Sequence, residues 1–171
     1  MAKRRGQETL GDMLRSLAVV GLGVLLFLAL LPRHHHSAVH TIDYSTDLAS
    51  ARHAASYHVY APVGLSKRWR ATSVRVTHNS ANVEFHLGFV SPHNQYAEIE
   101  ESNADAAAFV QQQFGTGTTQ LGNVTVAGTP WQQLRTARGE LALIRANGQP
   151  TLIVTGSAKI DELTTLAAAL Q

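Results

Sequence analysis

The chain has 171 residues, no cysteine, and 14 basic against 12 acidic side chains. That length fits one domain of ordinary size, and the absence of cysteine excludes disulfides, thiolate zinc sites and cysteine catalysis. The positive excess sits at the N-terminus, where Lys3, Arg4, Arg5 and Arg15 face Glu8 and Asp12; from Arg33 onward ten basic and ten acidic residues balance. A nucleic-acid partner needs a clustered basic face, so none is expected.

No residue between Arg15 and Arg33 is charged, and Leu17 to Leu31 is an almost unbroken apolar run. It is a little shorter than the ~20 residues a bilayer asks for, but Ser16 and Pro32 extend it and Arg15 can snorkel. Backbone in lipid must satisfy its own polar groups, so the run reads as a transmembrane helix over residues 13–32. Thr9 and Asp12 offer a capping pair upstream. Residues 1–12 form a basic tail, and the positive-inside rule places that tail in the cytoplasm and the C-terminal region outside. A cleaved signal peptide fits the basic start and the apolar run, yet Leu30-Leu31-Pro32-Arg33 lacks the small-residue cleavage pattern. A buried core helix would show a polar stripe. The signal-anchor reading is therefore preferred.

Residues 33–56 lack sustained periodicity and read as a His-rich stalk or connector, leaving an extracytoplasmic domain over 57–171. Tyr57 to Tyr60 alternates. Trp69 to Val76 is β-rich, Val83 to Phe89 alternates with a period of two, and Gln95 to Glu100 makes a further strand. Ser102 and Asp105 fit a capping box before a helix that carries Phe109 and Val110 and stops at Gly115. The grammar then recurs. Gly128 to Trp131 opens a strand, Glu140 to Arg145 follows, Asn147-Gly148 is a hairpin turn, and Pro150 to Thr155 returns. Ser157 precedes a helix from about Lys159 to Leu170, with Ile160, Leu163, Leu166, Ala167 and Leu170 on one side. The fold class is therefore α+β: an antiparallel sheet with two helices on one face, built as a duplicated β-β-β-α unit.

The landmarks Asp12-Met-Leu-Arg-Ser-Leu17, Pro62 with Leu65, Trp69-Arg-Ala-Thr-Ser-Val-Arg75, Gly88, Tyr96, Gly128 with Trp131, and Thr155-Gly156 before Glu162-Leu163 carry a resemblance. The chain resembles domain-of-unknown-function family 4245, a set of single-pass actinobacterial membrane proteins, from about Gln7 to Gln171. The resemblance implies membrane anchorage and an extracytoplasmic α+β domain. It implies no activity and carries over no catalytic or binding residue.

Candidate chemistry is sparse. All nine histidines lie between His34 and His93. His34, His35, His36 and His40 could bind a transition metal through neutral imidazoles, with Asp43 and Asp47 as the nearest carboxylates; a solvated juxtamembrane spacer, in which histidine is merely polar, is the preferred reading. Exposed histidines gain charge below pH ~6.5. His86 belongs to the polar side of its strand, with Glu84 and Gly88. Glu98, Glu100, Glu101 and Asp105 form an acidic patch in which Glu98 and Glu100 share a strand face, read as a solvated edge beside a helix N-terminus. Lys67, Arg68, Arg70 and Arg75 could meet an anion or serve as strand-surface charges. Gly115 to Gly122 lacks the spacing and the lysine of a phosphate loop, and Thr155 to Lys159 lacks the second glycine of a nucleophile elbow. Trp69 and Trp131 line either a groove or the core.

No catalytic, cofactor-binding or metal residue is designated on these grounds, and no cofactor is expected. The functional expectation is a non-enzymatic, membrane-anchored accessory or interaction domain. Its partners would be the lipid bilayer, through residues 13–32, and an envelope protein or small ligand. The alternative is a small-molecule, lipid or metal-binding module of the cell envelope.

Overall fold

The computed structural model describes residues 8–30, 40–79 and 82–171. The chain divides into two compact units, Met1–Ala38 and Val39–Gln171.

The first unit contains helix α1, Glu8–Leu30. It starts earlier than the sequence suggests, so Thr9 and Asp12 lie inside the helix. Asp12 instead faces Arg15 one turn on, at 3.7 Å, and its carbonyl accepts the Ser16 hydroxyl at 2.8 Å. The large apolar side chains from Met13 to Phe27 are exposed around the whole helix. Among the described residues no helix is long and apolar enough to cross a membrane. The end of the expected span, Leu31 and Pro32, and the cluster His34–His36 lie outside the described residues.

The second unit begins with a helix where a stalk was expected. Helix α2, Ser45–Ala54, buries Ala51 completely. Ile42, Tyr44, Leu48 and Ala55 pack on the same core, and the Ile42 N–H donates to the Ala71 carbonyl at 2.9 Å. The packed body thus starts well before Tyr57. Its helical signal is faint because the spacing of Leu48, Ala51 and Ala55 relies on two alanines. Residues 57–60 make no strand. They run as a strap that buries Val59, and Ala61 exchanges backbone hydrogen bonds with Gln171 at 3.1 and 3.2 Å.

Seven strands follow among the described residues: β1 Arg70–Asn79, β2 Asn82–Val90, β3 Tyr96–Ser102, β4 Thr119–Val126, β5 Thr129–Arg135, β6 Leu141–Arg145 and β7 Thr151–Gly156. Helix α3, Ala106–Phe114, lies between β3 and β4, and helix α4, Ile160–Ala168, ends the order. All pairings are antiparallel, in one sheet of order β1-β2-β3-β7-β6-β5-β4. The α+β class and the antiparallel sheet therefore stand.

Two finer expectations do not. The second half has four strands, because Thr119–Val126 pairs as β4 at the sheet edge instead of looping. The helices also take opposite faces. Leu163, Leu166 and Ala167 of α4 share a core with Ala51 of α2 and with Phe85, Leu87, Ile99, Leu143, Leu152 and Val154. Phe109 of α3 packs instead with Leu134, Ala142, Ile144 and Ile153. Successive strand residues point to opposite faces, and Ile153 lies between Leu152 and Val154, so these are the two sides of one sheet. A two-fold axis relating antiparallel halves through β3 and β7 runs perpendicular to the sheet and preserves its faces. It would place α3 and α4 together. The duplicated β-β-β-α arrangement is thus corrected to a sheet with α2 and α4 on one face and α3 on the other. The Asn147-Gly148 pair lies in a longer connection than a two-residue hairpin, since Arg145 pairs with Leu152.

Leu163 is fully buried and Lys159 exposed on the same helix region. Leu163→Ala should cost roughly 2–5 kcal/mol and Lys159→Ala well under ~1 kcal/mol, read by denaturant melts of Trp69 and Trp131 fluorescence. The opposite-face arrangement adds a sharper expectation. Combining Leu163→Ala with Phe109→Leu should give the sum of the single effects within about 0.5 kcal/mol, because the two side chains share no packing partner. A coupling well above that value places both helices on one core.

Candidate functional site

The alternation of β2 creates the site. Val83, Phe85, Leu87 and Phe89 are buried on the α2–α4 face, so Glu84, His86 and Gly88 occupy the other. On β3, Ala97, Ile99 and Glu101 turn toward α2 and α4, while Tyr96, Glu98 and Glu100 turn away. Register then aligns two rows across the sheet. Arg75, His86, Glu100 and Ile153 form one; Ser73, Gly88, Glu98 and Thr155 form the next.

Within these rows His86 is held at both ring nitrogens. Its Nδ1 lies 2.6 Å from Glu100 Oε1 and 3.9 Å from Glu98 Oε2. Its Nε2 lies 3.1 Å from the Ser73 hydroxyl and 3.5 Å from that of Tyr96. His86 is only 8% exposed and Glu100 only 5%, so this is not the solvated edge expected for the acidic patch: β3 is an inner strand. Burial chiefly pushes the Glu98 carboxyl up from the ordinary carboxylate range, opposed by a hydrogen bond from Tyr96. Burial likewise pushes the Tyr96 phenol up. Among the described residues the guanidinium beside the group is that of Arg75, 4.0 Å from Glu100 and largely exposed.

Gly88 makes the arrangement possible. A Cβ there would collide with the Ser73 and Tyr96 hydroxyls, the two groups that face His86 Nε2. Gly156 has a similar role at the neighbouring strand pair, where a Cβ would run into the backbone of Tyr96 and Ala97. Beside Glu98 a hollow of about 170 Å³ opens under the end of α3, lined among others by Phe114, Arg138, Glu140 and Thr155.

The structure thus joins His86 to Glu98 and Glu100, which sequence reasoning considered separately. The signal lay in their strand parity, but the pairing register was needed to connect them. Other candidates disperse. His40, His53, His58, His78 and His93 are exposed. Asp105 caps α3 by accepting the Ala108 N–H at 2.9 Å. Arg68 donates to the Pro92 carbonyl and Arg70 to Asn94, while Lys67 is exposed. Trp131 is a core residue, 2% exposed, and Trp69 packs edge-on to Phe89 with ring centres 6.2 Å apart.

Glu101 departs most from the acidic-patch reading. It is fully buried on the opposite face from Glu100, and its Oε2 accepts the Tyr60 N–H at 3.0 Å while Oε1 has no hydrogen-bond partner among the described residues. Burial pushes its pKa up to about 8, against the Tyr60 hydrogen bond and the nearby Arg145 and Arg52 charges. The carboxyl thus pins the strap to the sheet, and burial favours its neutral form.

The sequence profile of the family described as "Protein of unknown function (DUF4245)" matches residues 5–170, and the chain belongs to that family. Neither a curated protein nor a solved structure matches it.

Because Glu101 holds its proton more tightly when folded, its contribution to stability is full below the unfolded carboxyl value and is lost as pH rises through about 8. The thermal midpoint should fall across that window. Glu101→Gln keeps the neutral amide in place and should flatten the decline, leaving the variant more stable than the parent above the folded pKa. An unchanged pH profile in the variant would show that Glu101 is not the group responsible.

Proposed function

We propose that the chain is a membrane-anchored accessory domain. Residues 13–32 hold it at the bilayer, the basic tail stays in the cytoplasm, and the body from Val39 onward acts outside, by binding rather than by catalysis.

The observation that carries this reading is the condition of α1. Its large apolar side chains from Met13 to Phe27 are 51–71% exposed and surround the helix. A helix apolar on all sides needs an apolar environment rather than water. The second unit has its own closed core, with Phe85, Leu87, Ile99, Leu152, Leu163 and Leu166 all at 0% exposure. The uncharged stretch is short for a bilayer of ~30 Å, a mismatch that local thinning and snorkelling of Arg15 can absorb. Basic residues ahead of the run support the orientation. The binding role is supported by the setting of the polar cluster. Ser73, His86 and Glu100 have the connectivity of a nucleophile, base and acid, but they lie side by side on three strands. Catalytic groups more often stand on loops that rim a cleft.

The lack of native cysteine makes the topology directly testable. Single cysteines introduced at Gln7 and at Ser66, which is exposed, can be probed in intact cells with a membrane-impermeant maleimide. Ser66→Cys should label without lysis and Gln7→Cys only after it, with both proteins resisting alkaline carbonate extraction. Release by carbonate, or the reverse labelling pattern, refutes the anchor or its orientation respectively.

A further inference from the structure

We propose that His86, Glu98 and Glu100 bind a divalent transition-metal cation of the zinc or manganese type. The inference does not depend on membrane anchorage, because all three ligands belong to the body of the sheet.

One nitrogen and two carboxylate oxygens come within 4.8 Å of one another, all on one face of adjacent strands. Donors at ~2.0–2.2 Å from one tetrahedral cation stand roughly 3.3–3.6 Å apart, so Glu98, 3.9 Å from the imidazole nitrogen, has to draw in slightly and Glu100, at 2.6 Å, to ease back. The donor set is mixed: imidazole favours transition metals, while carboxylates admit zinc, manganese and iron(II). Calcium and magnesium prefer oxygen throughout.

Three features distinguish the group from an ordinary acidic patch. First, Glu100 is nearly buried, with a side chain 7% exposed, and Glu98 is 25% exposed, so both carboxylates are largely withdrawn from water. The only adjacent guanidinium among the described residues, on Arg75, is 65% exposed and 4.0 Å away. Two carboxylates so placed repel one another, and a divalent cation removes that cost. Second, the imidazole is already oriented. A cation would take the place of the proton shared between Nδ1 and Glu100 Oε1, 2.6 Å apart, while the remaining ring proton on Nε2 is donated to the Ser73 hydroxyl at 3.1 Å. This is the outer support that metal-binding histidines require. Third, the absence of a side chain at Gly88 leaves room for the Ser73 and Tyr96 hydroxyls behind the ring. The hollow that Glu98 lines brings water to one of the three proposed ligands.

The test uses the full chain in detergent, titrated with zinc chloride and with manganese chloride by calorimetry and followed by thermal melts. Calcium chloride is the negative control. His34, His35 and His36 are another source of zinc binding, so the titrations are done on the parent and on a chain with all three changed to Ala. About one cation should still bind per triply changed chain and raise its melting temperature. Glu98→Gln or Glu100→Gln on that background should weaken binding roughly tenfold or more. Glu98→Gln should also raise the metal-free melting temperature, because it removes the like-charge repulsion; this shows that the variant folds. Histidine side-chain ¹⁵N spectra of the triply changed, otherwise unaltered chain give a readout independent of the carboxylate variants. Zinc should move the Nδ1 resonance of His86, assigned by its loss in His86→Gln. Zinc binding that vanishes with the His34–His36 change overturns the proposal. So does affinity unaffected by both glutamate changes, or a spectral response confined to other histidines.

Discussion

The pairing of β3 with β7 organises the whole body. It joins β1-β2-β3 to β7-β6-β5-β4, and every residue of β3 must therefore face one of two covered or half-covered surfaces. Ala97 and Ile99 enter the main core with α2 and α4. Tyr96, Glu98 and Glu100 are sent to the other side by the same alternation. A one-residue slip in this register would bury Glu98 and Glu100 under α4 and expose Ile99. The hydrophobic side of β3 thus fixes the position of its carboxylates, and β2 delivers His86 to meet them through the same rule.

The strands that alternate were the most legible stretches of the chain. β2 and β3 read correctly to within a residue or two, and so did the last helix, because Leu163, Leu166 and Ala167 repeat at helical spacing. What escaped was the use of both sheet faces. In hindsight the sign is present: Leu141 to Ile144 and Leu152 to Val154 are continuous apolar runs, not alternating ones. Such runs indicate strands covered on both sides. Leu143, Leu152 and Val154 meet α4, whereas Ala142, Ile144 and Ile153 meet α3. Helix α3 itself could not have shown this, since Phe109 would be equally content on either face.

Other misses have equally local causes. Helix α2 and its C-cap turn one leucine and two alanines, Leu48, Ala51 and Ala55, toward the core, too little hydrophobic contrast to stand out from a polar connector. β4 is an edge strand in which most side chains are exposed, so its Thr, Gln, Gly and Asn content looks like a loop until β5 is there to pair with it. The strap at Tyr57 to Tyr60 has the alternation of a strand, but its Tyr60 N–H is spent on the Glu101 carboxyl group. Backbone donors satisfied by a side chain do not propagate a ladder. The candidate site was half-legible for the same reason: side-chain parity is a property of one strand, whereas the meeting of His86 with Glu100 is a property of two.

The uneven cover of the second face explains why a polar cluster can exist there at all. α3 lies over the β5-β6-β7 side, where Leu134, Ala142, Ile144 and Ile153 need an apolar lid. At the β2 end its contact turns polar, with Gln112 donating to both oxygens of Glu84 at 3.2 Å. Beyond that point the face belongs to Ser73, Arg75, His86, Glu98 and Glu100, which shield one another more than any helix shields them. Buried polar groups cost free energy unless each is satisfied. His86 meets that demand by using both ring nitrogens, and Gly88 by offering no side chain where two hydroxyls must fit. An apolar sheet face would have been simpler to stabilise under a longer helix. The chain instead keeps two carboxylates and an imidazole together on inner strands beside an open hollow, which sets this half of the sheet apart from the apolar half under α3.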